Sequence, residues 1–112
     1  MGMKESEIER ILVDEVKRLG GRAYKWVSPG NDGVPDRIVI LPNTTPIFVE
    51  LKTDTGRLSP LQKNQIQKLK RLGQQVEIVK GISGLGLFFE DLGFLDAASR
   101  IATRYAARYG SD

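Results

Sequence analysis

Apolar positions recur along this chain in two rhythms, one helical and one alternating. Over residues 4–19, Ile8, Ile11, Leu12, Val16 and Leu19 fall at helical spacing, which predicts an amphipathic helix closed by Gly20-Gly21. Residues 22–27 carry Tyr24 and Trp26 in loose alternation and predict a strand. Two more strands are predicted at 36–41 and 47–53, joined by Pro42-Asn43-Thr44-Thr45-Pro46. Ser59-Pro60 has the form of an N-cap and first helical residue. Leu61, Ile66, Leu69 and Leu72 then give one apolar face, and Gly73 stands where a C-cap glycine belongs. Residues 75–79 predict a fourth strand. Residues 81–93 are glycine-rich without a clear period, and a short helix is expected only near Phe88-Phe89. Residues 95–109 predict a last helix with Leu95, Ala98, Ile101, Ala102, Tyr105 and Tyr109 turned inward.

A helix between strands three and four permits parallel pairing there, while the central hairpin is antiparallel. The expected class is α/β: a mixed four-stranded sheet flanked by helices, with a C-terminal helix added. The 112 residues fit one domain, with a core over about 4–80 and a helical extension over about 83–110.

Composition narrows the chemistry. There is no cysteine and no histidine, which removes thiolate sites, disulfides and every Ser-His-Asp arrangement. Catalysis would have to run on carboxylates, lysine, hydroxyls or a metal held by oxygens. No apolar run approaches the ~20 residues that span a bilayer, and no signal-type apolar segment opens the chain. A cytoplasmic protein without a membrane partner is expected. The net charge of +3 says little, but its distribution says more. Arg57, Lys63, Lys68, Lys70 and Arg71 succeed one another with no acid among them. A basic stretch beside a carboxylate cluster suits a phosphate backbone.

That cluster is Asp36, Glu50 and Lys52. Glu50 and Lys52 are two apart on a strand and share a face, and the hairpin returns Asp36 beside them. Two acids and an amine at one place suit a hard divalent cation, an activated water and a phosphodiester.

The order α-β-β-β-α-β with Pro35-Asp36, then Glu50-Leu51-Lys52, resembles the PD-(D/E)XK nuclease superfamily, whose core is restriction-endonuclease-like. The finer resemblance is to its VRR-NUC domains, in small stand-alone bacteriophage form. It is carried by Lys25-Trp26-Val27-Ser28-Pro29-Gly30, Gly33-Val34-Pro35-Asp36-Arg37, Val49-Glu50-Leu51-Lys52 and Leu58-Ser59-Pro60-Leu61-Gln62. It covers roughly the first four-fifths of the chain, and the segment after Gly81 has no place in it. The resemblance implies a metal-dependent DNA endonuclease. Asp36, Glu50 and the Leu51 carbonyl would hold Mg²⁺ or Mn²⁺. Lys52 would orient the attacking water or offset transition-state charge. Lys25, Ser28 and Arg37 lie in the matching segments and are expected at the nucleic acid.

The superfamily's first helix commonly supplies a further acid. Helical phase ranks Glu5, then Glu9, then Glu7 for nearness to the packed face, while first-turn acids are also favoured by the helix dipole alone. Gln62 fits a capping box with Ser59, and equally a hydrogen-bond donor near the scissile phosphate. Arg57 and Lys63 are candidate phosphate contacts or a solvated face. The loop from Gly30 to Gly33 is a turn that could also bring N–H groups to phosphate. Arg100, Arg104 and Arg108 form a row on the last helix, either a DNA-backbone rail or the flank of a subunit interface; the apolar side of that helix favours a homodimer. The expected function is Mg²⁺- or Mn²⁺-dependent hydrolysis of branched replication, repair or recombination DNA, Holliday junctions included. The competing readings are a non-catalytic nucleic-acid-binding module on a nuclease fold and a monomeric flap or end nuclease.

Overall fold

In the computed structural model, which describes residues 2–109, the order of elements is α1 (Glu5–Arg18), β1 (Arg22–Lys25), β2 (Arg37–Ile40), β3 (Ile47–Lys52), α2 (Pro60–Arg71), β4 (Gln75–Lys80), α3 (Gly81–Asp91) and α4 (Leu95–Tyr109). The strands lie side by side in sequence order. The pairs β1/β2 and β2/β3 are antiparallel, and β3/β4 is parallel across the α2 crossover. This is the mixed α/β sheet that the pattern predicts.

Both ends of α1 and the start of α2 have local causes. At the start of α1 the Glu7 carboxylate accepts the Lys4 backbone N–H at 3.1 Å. Gly20, at φ +88°, closes the helix and lets Gly21 N–H reach Val16 O at 2.9 Å. At the start of α2, Ser59 Oγ accepts from Gln62 N at 3.1 Å, and Gln62 Oε1 accepts from Ser59 N at 2.9 Å. Both halves of the capping box are therefore closed.

The core lies on one side of the sheet. Val39, Ile47, Val49, Leu51 and Val79 face Ile8, Ile11, Leu12 and Val16 of α1 and Ile82, Leu85, Phe88 and Phe89 of α3. Helix α2 covers part of the opposite side, where Ile66 and Val76 are buried. Parallel register carries Phe48, Glu50 and Lys52 beside Val76, Ile78 and Lys80 on that second face.

Four expectations are corrected. Strand β1 ends at Lys25 rather than residue 27: one further backbone bond, from Trp26, continues the ladder, and Val27 already stands out in solvent. The glycine-rich stretch is an eleven-residue helix, α3, whose burial against the sheet outweighs the weak helix preference of Gly84 and Gly86. Leu61 and Leu72, expected on the apolar face of α2, are exposed, since α2 contacts the sheet through a narrow stripe around Ile66. On α4, Leu95, Ala102 and Tyr105 are exposed, and the helix turns Ala97 and Ile101 inward. The Tyr109 side chain lies outside the described residues.

The arginine row of α4 binds this helix to α1. Arg100 donates to the Glu15 carboxylate at 3.0, 3.2 and 2.8 Å, and Arg108 donates to Glu7 Oε2 at 3.2 Å. Glu15 is only 3% exposed, and Arg100 supplies its hydrogen bonds while Arg18 approaches it at 3.9 Å. Among the described residues, no helix is long and apolar enough to cross a membrane.

Removing Arg100 takes away the hydrogen bonds of a buried carboxylate and leaves it only the 3.9 Å approach of Arg18. Arg100→Ala is expected to lower the urea midpoint clearly, and the double change Glu15→Leu with Arg100→Leu to recover most of the loss, both read from equilibrium unfolding.

Candidate active site

Hydrogen bonding between β1, β2 and β3 gathers the candidate residues. Trp26 N–H donates to Asp36 O at 3.0 Å, which extends the ladder by one pair past β1 and β2. Asp36 sits one residue before the Arg37–Val49 pair and therefore opposite Glu50. Its Oδ2 accepts the Leu51 N–H at 2.8 Å, which fixes the carboxylate against β3. Pro35, buried, holds the backbone just ahead of it.

Glu50 is the centre of the cluster. It is 1% exposed, yet its Oε1 has no hydrogen-bond partner. The other oxygen, Oε2, accepts from Gln62 Nε2 at 3.0 Å and lies 3.5 Å from Lys52 Nζ. Gln62 thus caps α2 with its oxygen and holds Glu50 with its nitrogen, so both roles open to it in the sequence exist at once. The first turn of α2 is located by the preceding loop. A Cβ on Gly33, which has φ +88°, would lie 2.6 Å from the Leu61 carbonyl carbon, so only glycine lets the loop press so closely on the helix that carries Gln62.

Electrostatics at this spot favour a cation. Burial, with the negative charge of Asp36 adding to it and Lys52 opposing, pushes the Glu50 carboxyl up to about 7. Burial also raises Asp36, against the Leu51 hydrogen bond. Glu5 is raised by burial first and then by Asp36, which places it within electrostatic reach of the pair although it is exposed. Glu9 is engaged differently: its carboxylate accepts from Arg37 Nε at 2.8 Å. Arg37 also donates to Ala23 O at 3.0 Å and so locks α1 to the sheet. Glu7 lies with Lys4 and Arg108.

The other candidates spread around this centre. Lys25, Arg57 and Lys63 are exposed. Ser28 is half-buried, and its Oγ accepts from Asn31 Nδ2 at 3.0 Å. Lys80 was not among the sequence candidates. Its signal was a basic residue ending β4, which gains meaning only once parallel register sets it beside Lys52.

The residues present fit a hard divalent ion. The donors are all oxygens, one is buried without a partner, and the charge of Asp36 helps to raise Glu50. Among the described residues no group of three histidine, cysteine or acidic side chains forms a ready cage. The holding set would be Asp36, Glu50 and the Leu51 carbonyl, with water or substrate oxygens completing it, as Mg²⁺ commonly keeps several waters.

The family model described as VRR-NUC domain matches residues 3–82. The chain belongs to the VRR-NUC family. It is 48% identical over 77 residues, 69% of this chain and 83% of the relative, to "Putative nuclease p44" of Acyrthosiphon pisum secondary endosymbiont phage 1. Two solved structures share the fold. One, "VRR_NUC domain", has a TM-score of 0.63 at 24% identity and covers 90% of this chain and 96% of its own. The other, "VRR_NUC domain protein", has a TM-score of 0.63 at 22% identity and covers 76% of this chain and 84% of its own. The VRR-NUC chain is thus a nuclease-type domain, and the match ends as α3 begins.

A carboxyl raised in the fold stabilises the protein below its unfolded value of 4.5 and loses that contribution as pH rises through about 7. In EDTA, Glu50→Gln is therefore expected to match the wild type near pH 4.5 and to exceed it at pH 8, by on the order of 3 kcal/mol. Urea unfolding at the two pH values measures this.

Proposed function

We propose that this VRR-NUC domain is a Mg²⁺- or Mn²⁺-dependent DNA endonuclease that hydrolyses phosphodiester bonds in branched replication, repair or recombination structures, Holliday junctions included. The observation that carries the reading is the buried, unpartnered Glu50 oxygen beside Asp36, Lys52 and Gln62. A stable core has no use for a carboxylate whose oxygen is shielded from water and bonded to nothing.

Asp36, Glu50 and the Leu51 carbonyl would hold the cation, which supplies positive charge to polarise the phosphodiester and its attacking water. Lys52, kept at the carboxylates by Glu50, would orient that water toward phosphorus or offset the charge that grows on the phosphoryl oxygens. Gln62 holds Glu50 in place through one oxygen and leaves the other free. Hydrolysis forms a bond from water oxygen to phosphorus and breaks the bond to the leaving sugar oxygen, which takes up a proton. Glu5, like Glu9, is a first-helix acid in the field of Asp36, and Glu5 is not held by Arg37 as Glu9 is. The name of the phage relative points the same way.

Cleavage of branched and linear DNA is expected with Mg²⁺ or Mn²⁺ and not with EDTA. Asp36→Asn, Glu50→Gln and Lys52→Ala should each slow it about 100-fold or more while DNA binding persists. Glu5→Gln should cost more activity than Glu7→Gln. Wild-type rates in EDTA would sink the metal reading, and a wild-type rate in any one of the three variants would remove that residue's role.

A two-fold homodimer would provide paired sites for cutting both strands. An apolar groove of ≈ 390 Å³ between α3 and α4, lined by Ile82, Leu87, Ala98, Ile101 and Ala102 among others, supports it, with Leu87 57% exposed. Light scattering should give about twice the 12.5 kDa chain mass; a monodisperse monomer would leave single nicks as the better reading.

A further inference from the structure

The second sheet face continues past the carboxylates to β4, and there the character of the surface changes. Arg57, Leu58, Lys63, Ile78 and Lys80 line a hollow of ≈ 430 Å³. Its three charged groups are all cationic. Its floor is apolar, with Ile78 39% exposed beside Leu58. Asp54, on the loop after β3, lies instead against the Gly81 backbone at the start of α3.

Register ties this hollow to the reaction centre. Ile78 stands opposite Glu50 and Lys80 opposite Lys52 in the parallel ladder. Adjacent strands are ~4.8 Å apart, so the two lysine stems rise side by side from one face. Lys52 already has the Glu50 carboxylate at 3.5 Å, whereas Lys80 is exposed and lines the hollow with Arg57 and Lys63. Arg57 and Lys63, from the loop before α2 and its first turn, close on the same space from the other side. An apolar floor under a cationic rim suits a sugar-phosphate unit, carbon atoms down and phosphoryl oxygens toward the charges.

We infer that Arg57, Lys63 and Lys80 form a phosphate subsite for the DNA strand being cut, holding the phosphate next to the one at Glu50 and Lys52. This rests on the nuclease reading for its place in the reaction, but its binding can be measured without cleavage. The strand then crosses the sheet from the carboxylates toward β4, and Lys80 is a substrate-binding residue that lowers KM while kcat depends on Glu50 and Lys52.

The test uses the full chain in EDTA and a short fluorescent single-stranded oligonucleotide, with anisotropy titrations at several KCl concentrations. Lys80→Ala should weaken binding several-fold and flatten the slope of log affinity against log salt by about 0.7, the value for one lost single-strand phosphate contact. Lys80→Arg should restore most of both. Lys68→Ala, elsewhere on α2, should cost less than Lys80→Ala. A scan of oligonucleotides with one neutral methylphosphonate at a time should find a position that weakens the wild type and not Lys80→Ala. With Mg²⁺, Lys80→Ala should raise KM and leave kcat within about twofold.

Wild-type binding and slope in Lys80→Ala would overturn the subsite, as would no DNA binding by the wild type. A wild type that binds with the expected Lys80 signature but cuts nothing would keep the subsite and discard the nuclease reading. Urea midpoints of all variants separate lost binding from lost folding.

Discussion

A buried carboxylate with one satisfied and one unsatisfied oxygen is the constraint around which the second sheet face is organised. Glu50 occupies a strand position where its neighbours in sequence, Val49 and Leu51, are fully buried on the opposite side. It cannot leave its place without disturbing the core. Everything that touches it acts on its charge: Lys52 and Gln62 through Oε2, Asp36 through repulsion, and burial through the loss of water. Such a group is costly in an isolated fold and well suited to a cation. The unfavourable electrostatics and the proposed chemistry are thus two descriptions of one arrangement.

Keeping that arrangement in register is the work of parts with no chemistry of their own. The Leu51 N–H bond to Asp36 joins two carboxylates through the backbone between them. Arg37 spans Glu9 and the Ala23 carbonyl and so fixes α1 to the sheet, bringing Glu5 near the site. Gly33 allows the loop before Asp36 to touch the first turn of α2, which sets Gln62 over Glu50. A displacement of either helix would therefore reach the carboxylates directly.

The region beyond the family match completes the core. Leu85, Phe88, Phe89, Ala97 and Ile101 belong to the same buried cluster as the first helix and the sheet. The ion pairs from Arg100 to Glu15 and from Arg108 to Glu7 then join the two ends of the described chain. The row of arginines, readable from the sequence as a rail for DNA or an interface flank, is in two of its three members an internal brace. Sequence spacing identified the row, but the acids it meets lie 85 and 101 residues away.

Local rules were sufficient where an element's cause lies within a few residues. The capping box at Ser59, the apolar stripe of α1, the hairpin and the shared face of Glu50 and Lys52 all derive from periodicity and turn chemistry. They made the αβββαβ order and the meeting of Asp36 with Glu50 legible in the chain itself. Helix α3 was not legible, because its glycines weaken the local preference and only contact with the sheet and α4 outweighs it. The true inward face of α4, the exposure of Leu61, the pairing of Glu9 with Arg37 and the neighbourhood of Lys80 and Lys52 were hidden for a related reason. Each depends on which distant surfaces meet and in what register, and that is a property of packing among all the elements, which no window along the chain contains.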